Sequence, residues 1–263
     1  MSDRAPKDLR IGHALQVSAC LLWGTLCIVY FLDGTLLLLQ RDVFTYFTLS
    51  AGVFLVAMGY FKFVRGPAES ASAMYCEAGG SGAKPARRGR LAIVAAAAVL
   101  AVPLALGLMV QGKGLNALAA TQRGLGGDAQ DLIDRMYAEQ ELNLQMDADY
   151  ASANITQLYA LMRKEKNIGR KVATVGFVVP AKGVPEGHLI IVRFLIWCCS
   201  ADARPLPVLV QCEDADRFKT DQWVKVYGEL HEGQFRGKPI PAIIADRVRL
   251  LEGDDIPDRP YLY

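Results

Sequence analysis

The stretch HLIIVRFLIWCCSADARPLPVLVQC, residues 188–212, holds two apolar runs around a small polar break. Both runs are rich in branched and aromatic residues, which suit a pleated surface. The spacing predicts strands over 188–199 and 207–212, with a tight turn near 203–206 after the small Ser200-Ala201-Asp202 cluster. Alternate residues of a strand face opposite sides. His188, Ile190, Val192, Phe194, Ile196 and Cys198 form a face with no obligatory charge, which points inward on this reading. Leu189, Ile191, Arg193, Leu195, Trp197 and Cys199 form the other, expected to meet a helix, a partner or solvent. Cys198 is then interior, Cys199 accessible, and Cys212 opposite about Leu195.

Outward from this stretch the period of two continues. Further strands are expected over 171–180, 222–230 and 241–251, with the polar segment 213–221 separating the third strand from the fourth. Five strands with a polar segment between the third and fourth match the OB-fold plan. Gly176 and Gly228 fall inside strands, where a small barrel bends sharply. An immunoglobulin-like sandwich is the alternative, but it calls for about seven strands. Before the strands, apolar residues at helical spacing predict helices over 128–144 and 153–164, the second closed by Asn167-Ile168-Gly169.

The 263-residue chain is 52% hydrophobic, and its long apolar runs lie almost entirely before Gly112. A membrane-crossing helix needs about 20 mostly apolar residues. Residues 13–32, 45–63 and 91–110 each supply such a run, the third interrupted by Pro103 and Gly107. The first carries no A-x-A-like cleavage site and reads as an uncleaved anchor. Arg4, Lys7 and Arg10 precede it, and Lys62, Arg65, Lys84, Arg87, Arg88 and Arg90 border the second loop. The first loop has only Arg41. The positive-inside rule then puts the N-terminus in the cytoplasm and the C-terminal half outside, which in a bacterium means the periplasmic or extracellular side of the inner membrane. The fold class expected is a membrane protein with three N-terminal transmembrane helices (1–112), a linker with one or two helices (113–144), and a C-terminal all-β OB-like barrel (145–263).

The segment 145–263 holds sixteen Lys plus Arg and sixteen Asp plus Glu. Without a basic stripe, nucleic acid is not an expected partner, although Trp197, Trp223, Tyr227 and Phe235 could stack on bases. The three histidines are scattered, and no G-x-S-x-G, HExxH, P-loop or G-x-G-x-x-G occurs, so the reading is non-catalytic. Cys198, Cys199 and Asp202 are candidate ligands for a zinc-like divalent metal, with His188 or His231 able to complete a set. Adjacent thiolates in a strand point apart, so a bulge would have to turn one of them. Packing of the cysteines as small apolar residues, or a disulfide in an oxidising compartment, are the other readings. Asp202 also suits a turn, where its side chain bonds nearby backbone N–H groups. Cys20 and Cys27, seven apart, share a face of the first span as packed or lipid-facing small residues.

VGFV at 175–178, RFLIWCCSADARP at 193–205, WVKVYGEL at 223–230 and PYLY at 260–263 resemble a bacterial YcgQ-like family, as does PLALGLMVQGKGLNALAATQRG at 103–124. The resemblance implies one subunit of a two-component permease, paired with a larger multi-span membrane protein. It implies a non-catalytic accessory role, with the barrel docking on that partner or presenting substrate to it. Members often carry a loop rich in His and Cys between the second and third spans. Here the loop at 66–89 keeps only Cys76 and has no histidine. Arg193, Trp197, Trp223, Tyr261 and Tyr263 are the residues expected to contact the partner, and the lipid bilayer is the other expected contact.

Overall fold

The computed structural model describes residues 7–66, 115–125, 133, 142, 144–257 and 261–262. The chain divides into two units, one of Met1–Leu37 with Asp42–Gly112, the other of Leu38–Arg41 with Lys113–Tyr263.

In the first unit, α1 (Lys7–Leu32) and α2 (Asp42–Arg65) are long apolar helices. Gly12–Leu32 has a mean hydropathy of 1.9 over its most apolar window, and Asp42–Arg65 one of 1.6. At about 1.5 Å per residue, 21 residues span about 32 Å, enough for a hydrocarbon core of about 30 Å. Ser18, Thr25, Thr48 and Ser50 return their hydroxyls to carbonyls three or four residues back, which hides the polar group within its own helix. Small residues set the helix contact. A Cβ on Gly24 would lie 2.7 Å from the Gly52 carbonyl, and one on Gly52 2.7 Å from Cys27 Cβ. Cys20 and Cys27 therefore face Gly59 and Gly52 as packed small residues. The expected third span at 91–110 and nearly all of the 128–144 helix and the 66–89 loop lie outside the described residues.

The second unit is mostly β. A short helix, α3 (Ala117–Arg123), starts at Asn116, whose side chain accepts Ala119 N–H. The strands β1 (Gln145–Asp147) and β2 (Tyr150–Ser152) form a small hairpin. The helix expected over 153–164 is α4 (Ile155–Met162). It opens on a capping box in which Asn154 accepts Gln157 N–H and the Gln157 side chain accepts Asn154 N–H. Gly169, at φ 82°, ends this segment in the left-handed conformation that glycine allows.

The five long strands are β3 (Lys171–Val179), β4 (His188–Leu195), β5 (Arg204–Gln211), β6 (Trp223–Phe235) and β7 (Lys238–Leu250). All five lie where alternation placed them, with shifted ends. A short strand β8 (Tyr261–Leu262) runs parallel to β4. β6 and β7 extend five and three residues further into a hairpin closed by Arg236-Gly237 at φ 53° and 74°, the two-residue turn that matches strand twist. The pairings run β3–β6–β7–β5–β4, and β4 pairs again with β3 at Phe177↔Val192. A bulge leaves Asp246 of β7 unpaired opposite Tyr227/Gly228 and bends β7, and a Cβ on Gly228 would collide with the Ile244 carbonyl. Phe177, Phe194, Val208, Val226, Leu230 and Ile243 fill the centre. Burying one such side chain stabilises the fold by about 1.5–3 kcal/mol.

Two expectations about the opening stretch are corrected. β4 stops at Leu195, and β5 begins at Arg204 rather than 207, in the register His188↔Gln211 to Leu195↔Arg204. The connection is therefore 196–203. Pro205 and Pro207, two residues apart, turn their missing N–H toward the same edge, and β5 takes a neighbour on that edge only from Leu209 onward. Cys212 consequently does not face Leu195; it sits at the far end of the hairpin, donating its N–H to the Gly187 carbonyl at 2.9 Å. Both faces of β4 are buried, and on the side that holds Arg193 its guanidinium lies against the Trp223 ring.

Candidate functional site: the Cys198–Asp202 loop

Beyond Leu195 the chain leaves the sheet because a carboxylate gathers its amides. Asp202 Oδ1 accepts Trp197 N–H at 2.9 Å. Its Oδ2 accepts Cys198 N–H at 2.7 Å and Cys199 N–H at 3.4 Å. Ser200–Asp202 closes as a single 3-10 turn. The loop is held from two further directions. Arg123, at the end of α3, donates to the carbonyls of Ala203 at 2.8 Å and Ala201 at 3.4 Å. The segment Leu38–Arg41 lies along the loop, with Gln40 bridged to Cys199 in antiparallel fashion. Arg41 N–H donates to the Cys198 carbonyl at 3.1 Å, and Ser200 N–H to the Leu39 carbonyl at 2.6 Å. Tyr261 fixes that segment in turn, its hydroxyl donating to the Leu38 carbonyl at 2.6 Å and accepting Leu115 N–H at 3.2 Å.

This geometry turns two neighbouring thiols toward each other. Cys198 and Cys199 Sγ are 3.6 Å apart, both half-buried, and both free. With one carboxylate oxygen of Asp202 they form a group whose atoms all lie within 4.8 Å. Strand parity placed Cys198 inside and Cys199 outside; that is corrected, because neither residue is in a strand. The Asp202 carboxylate, followed by the Cys199 thiol, pushes the Cys198 thiol up to about 12. For Asp202 itself, partial burial works to raise the pKa. The Cys198 thiol and the three backbone N–H groups outweigh it and hold the carboxyl below its usual range.

Neither histidine joins the set. His188 starts β4 at the opposite end of that strand, its ring bonded to the Glu186 carbonyl at 2.9 Å, and His231 lies 3.8 Å from Glu229. Of the residues expected at a partner surface, Trp197 is 58% exposed. Arg193 and Tyr261 are buried within the domain, and Trp223 partly so. Arg193 donates to the Tyr261 carbonyl at 3.3 Å and lies 5.6 Å from the Trp223 ring centre, which is how a charged residue is accommodated inside. Tyr263 lies outside the described residues. Arg123 and Leu38–Arg41 were missed by sequence reading, since nothing local marks a contact with residues so far along the chain. An open cleft of about 570 Å³ lies elsewhere, between Cys212, Arg217, Phe218 and Arg247.

Residues 119–263, more than half of the chain, match the family model of the DUF1980 C-terminal domain. The chain belongs to this family. No curated protein matches it. The DUF1980 C-terminal domain thus takes in Arg123, the whole cysteine loop and β8, while Leu38–Arg41 comes from outside the matched residues.

Proposed function

We propose that this protein is a membrane-anchored, non-catalytic accessory subunit of a bacterial two-component permease of the YcgQ-like kind. Its mostly-β domain is an OB-like barrel outside the cytoplasm that docks on, or presents substrate to, a multi-span partner in the inner membrane. The permease reading rests on the resemblance of 193–205, 223–230 and 260–263 to that family, and the observation that supports the domain's side of the membrane is the pairing of Leu38–Arg41 with the cysteine loop. That segment links two apolar helices, each long enough to cross a bilayer. A link bonded to a folded domain shares that domain's side of the membrane. Its single basic residue, Arg41, against the basic tail and second loop, favours the outer side. The closed order of strand pairing, β3–β6–β7–β5–β4–β3, supports the barrel.

The test is recovery of the tagged, full-length chain from detergent-solubilised native membranes. A multi-span membrane protein in near-equal amount is the expected companion, and repeated recovery without one would sink the proposal. Labelling intact cells with a membrane-impermeant maleimide tests the orientation, with a cysteine introduced at exposed Lys182 as the reporter. Labelling only after cell lysis would place the domain inside and overturn it.

A further inference from the structure

We propose that Cys198, Cys199 and Asp202 form a three-ligand site for a thiophilic divalent cation of the zinc class. The site stands on the loop alone, whether or not a permease partner exists. Two sulfurs 3.6 Å apart, each bonded to one ion at about 2.3 Å, subtend roughly 103° at that ion, close to the tetrahedral angle of about 109°. A linear two-thiolate ion at the same bond length would need them about 4.6 Å apart, so the spacing is nearer to what a tetrahedral divalent ion needs than to a two-coordinate monovalent one. A carboxylate oxygen completing the same tetrahedron sits about 3.6 Å from each sulfur. The oxygen of Asp202 is already within 4.8 Å of both, so a shift of about an ångström suffices.

Preorganisation is the second argument. Adjacent cysteines in a flexible chain or a strand rarely present both sulfurs to one point. Here four backbone groups of the loop are held from outside it. Arg123 takes the Ala201 and Ala203 carbonyls, Arg41 the Cys198 carbonyl, and Leu39 the Ser200 N–H. Asp202 takes three amides more. The ion therefore meets a loop backbone that is already ordered, and the Asp202 carboxylate is the ligand that has to shift. Three protein ligands leave a fourth position for water or an incoming ligand, and both thiols are half-exposed. That is the form of an exchangeable site, in contrast to the closed four-ligand structural kind.

The experiment uses the reduced, metal-stripped full-length protein in detergent, titrated with cadmium chloride and, separately, zinc chloride. One cadmium per chain is expected, with a sulfur-to-cadmium charge-transfer absorption that Zn²⁺ displaces. The band is lost in C198S and in C199S and keeps its stoichiometry in C76S and C212S. Mass spectrometry after alkylation supplies a readout that needs no variant, because cadmium is expected to protect Cys198 and Cys199 together. Absence of the band in folded wild-type protein overturns the site. So does full binding by C198S or C199S, and so does unprotected alkylation of the pair at saturating cadmium.

Discussion

The carboxylate of Asp202 accepts the backbone N–H of Cys198 at 2.7 Å while pushing the thiol of the same residue toward its protonated form. One side chain thus both shapes the loop and controls its chemistry. The structural role is readable as exchange. Asp202→Asn keeps an oxygen but loses the charge, so the amides of Trp197 and Cys198 should exchange hydrogen faster. Overall stability should fall by about 1 kcal/mol, the usual worth of such bonds. Unchanged exchange at both amides would refute the capping role.

The same substitution alters thiol reactivity. With its pKa raised to about 12, Cys198 holds little thiolate at pH 8 and alkylates slowly. Removing the Asp202 charge lets the pKa fall toward the ordinary thiol range, so iodoacetamide should modify Cys198 several-fold faster in D202N at that pH. Peptide mapping after timed alkylation reads the rate; an equal or slower rate contradicts the assignment.

On α2, Gly59 faces Cys20 of α1, where an added Cβ would lie 3.2 Å from Cys20 Cβ. That is close to the separation of bridged cysteines, about 3.8 Å. A Gly59→Cys variant in membranes should cross-link to native Cys20 on mild oxidation, detectable as a mass loss of two hydrogens. Ser50→Cys, on an exposed position of the same helix, serves as the control. Equal cross-linking of both would remove the helix contact.

Gly228 of β6 sits opposite the β7 bulge, against the Ile244 carbonyl. Gly228→Ala forces backbone apart in a packed sheet, and a loss of about 1–3 kcal/mol is expected. Thermal unfolding of the full-length protein in detergent measures it. A transition within a degree of wild type would show that the bulge yields freely.

Asp147 ties the β1 hairpin to β6. Lys225 at 2.6 Å, helped by the Tyr227 hydroxyl at 3.2 Å and by Arg247, holds its carboxyl below the usual range. A depressed carboxyl contributes stability that is complete above its unfolded pKa of about 3.9 and is lost as pH falls through the folded value. Wild-type protein should therefore lose β1–β2 protection below about pH 4. Asp147→Asn should already lack that pH-dependent part at pH 7. Hydrogen exchange across β1 and β2 at both pH values decides it.

Alternation in 171–180, 222–230 and 241–251 was enough to place β3, β6 and β7, because each strand has an apolar face that a slip by one residue would expose. Two apolar helices were equally legible from length and composition. The loop was not. Pro205 looked like part of a turn, although a strand tolerates proline where its edge lacks a neighbour. Arg193 looked outward-facing because charge usually is. Its neutral partners, the Tyr261 carbonyl and the Trp223 ring, lie 68 and 30 residues away in the chain, beyond the reach of any local pattern. Cys198, Cys199 and Asp202 were recognisable as a group by residue type. Their convergence depends on a carboxylate cap and a distant segment, which only tertiary structure supplies.

The bond from the Tyr261 hydroxyl to Leu38 joins residues 223 positions apart. Closing so long a span costs chain entropy, which the packing around both ends offsets. The clamp on the thiols therefore exists only where these two distant stretches of the chain have been brought together. Reactivity of the paired thiols is thereby a sensor of maturation: a half-folded chain presents ordinary flexible cysteines, and only the completed one presents them as a fixed pair.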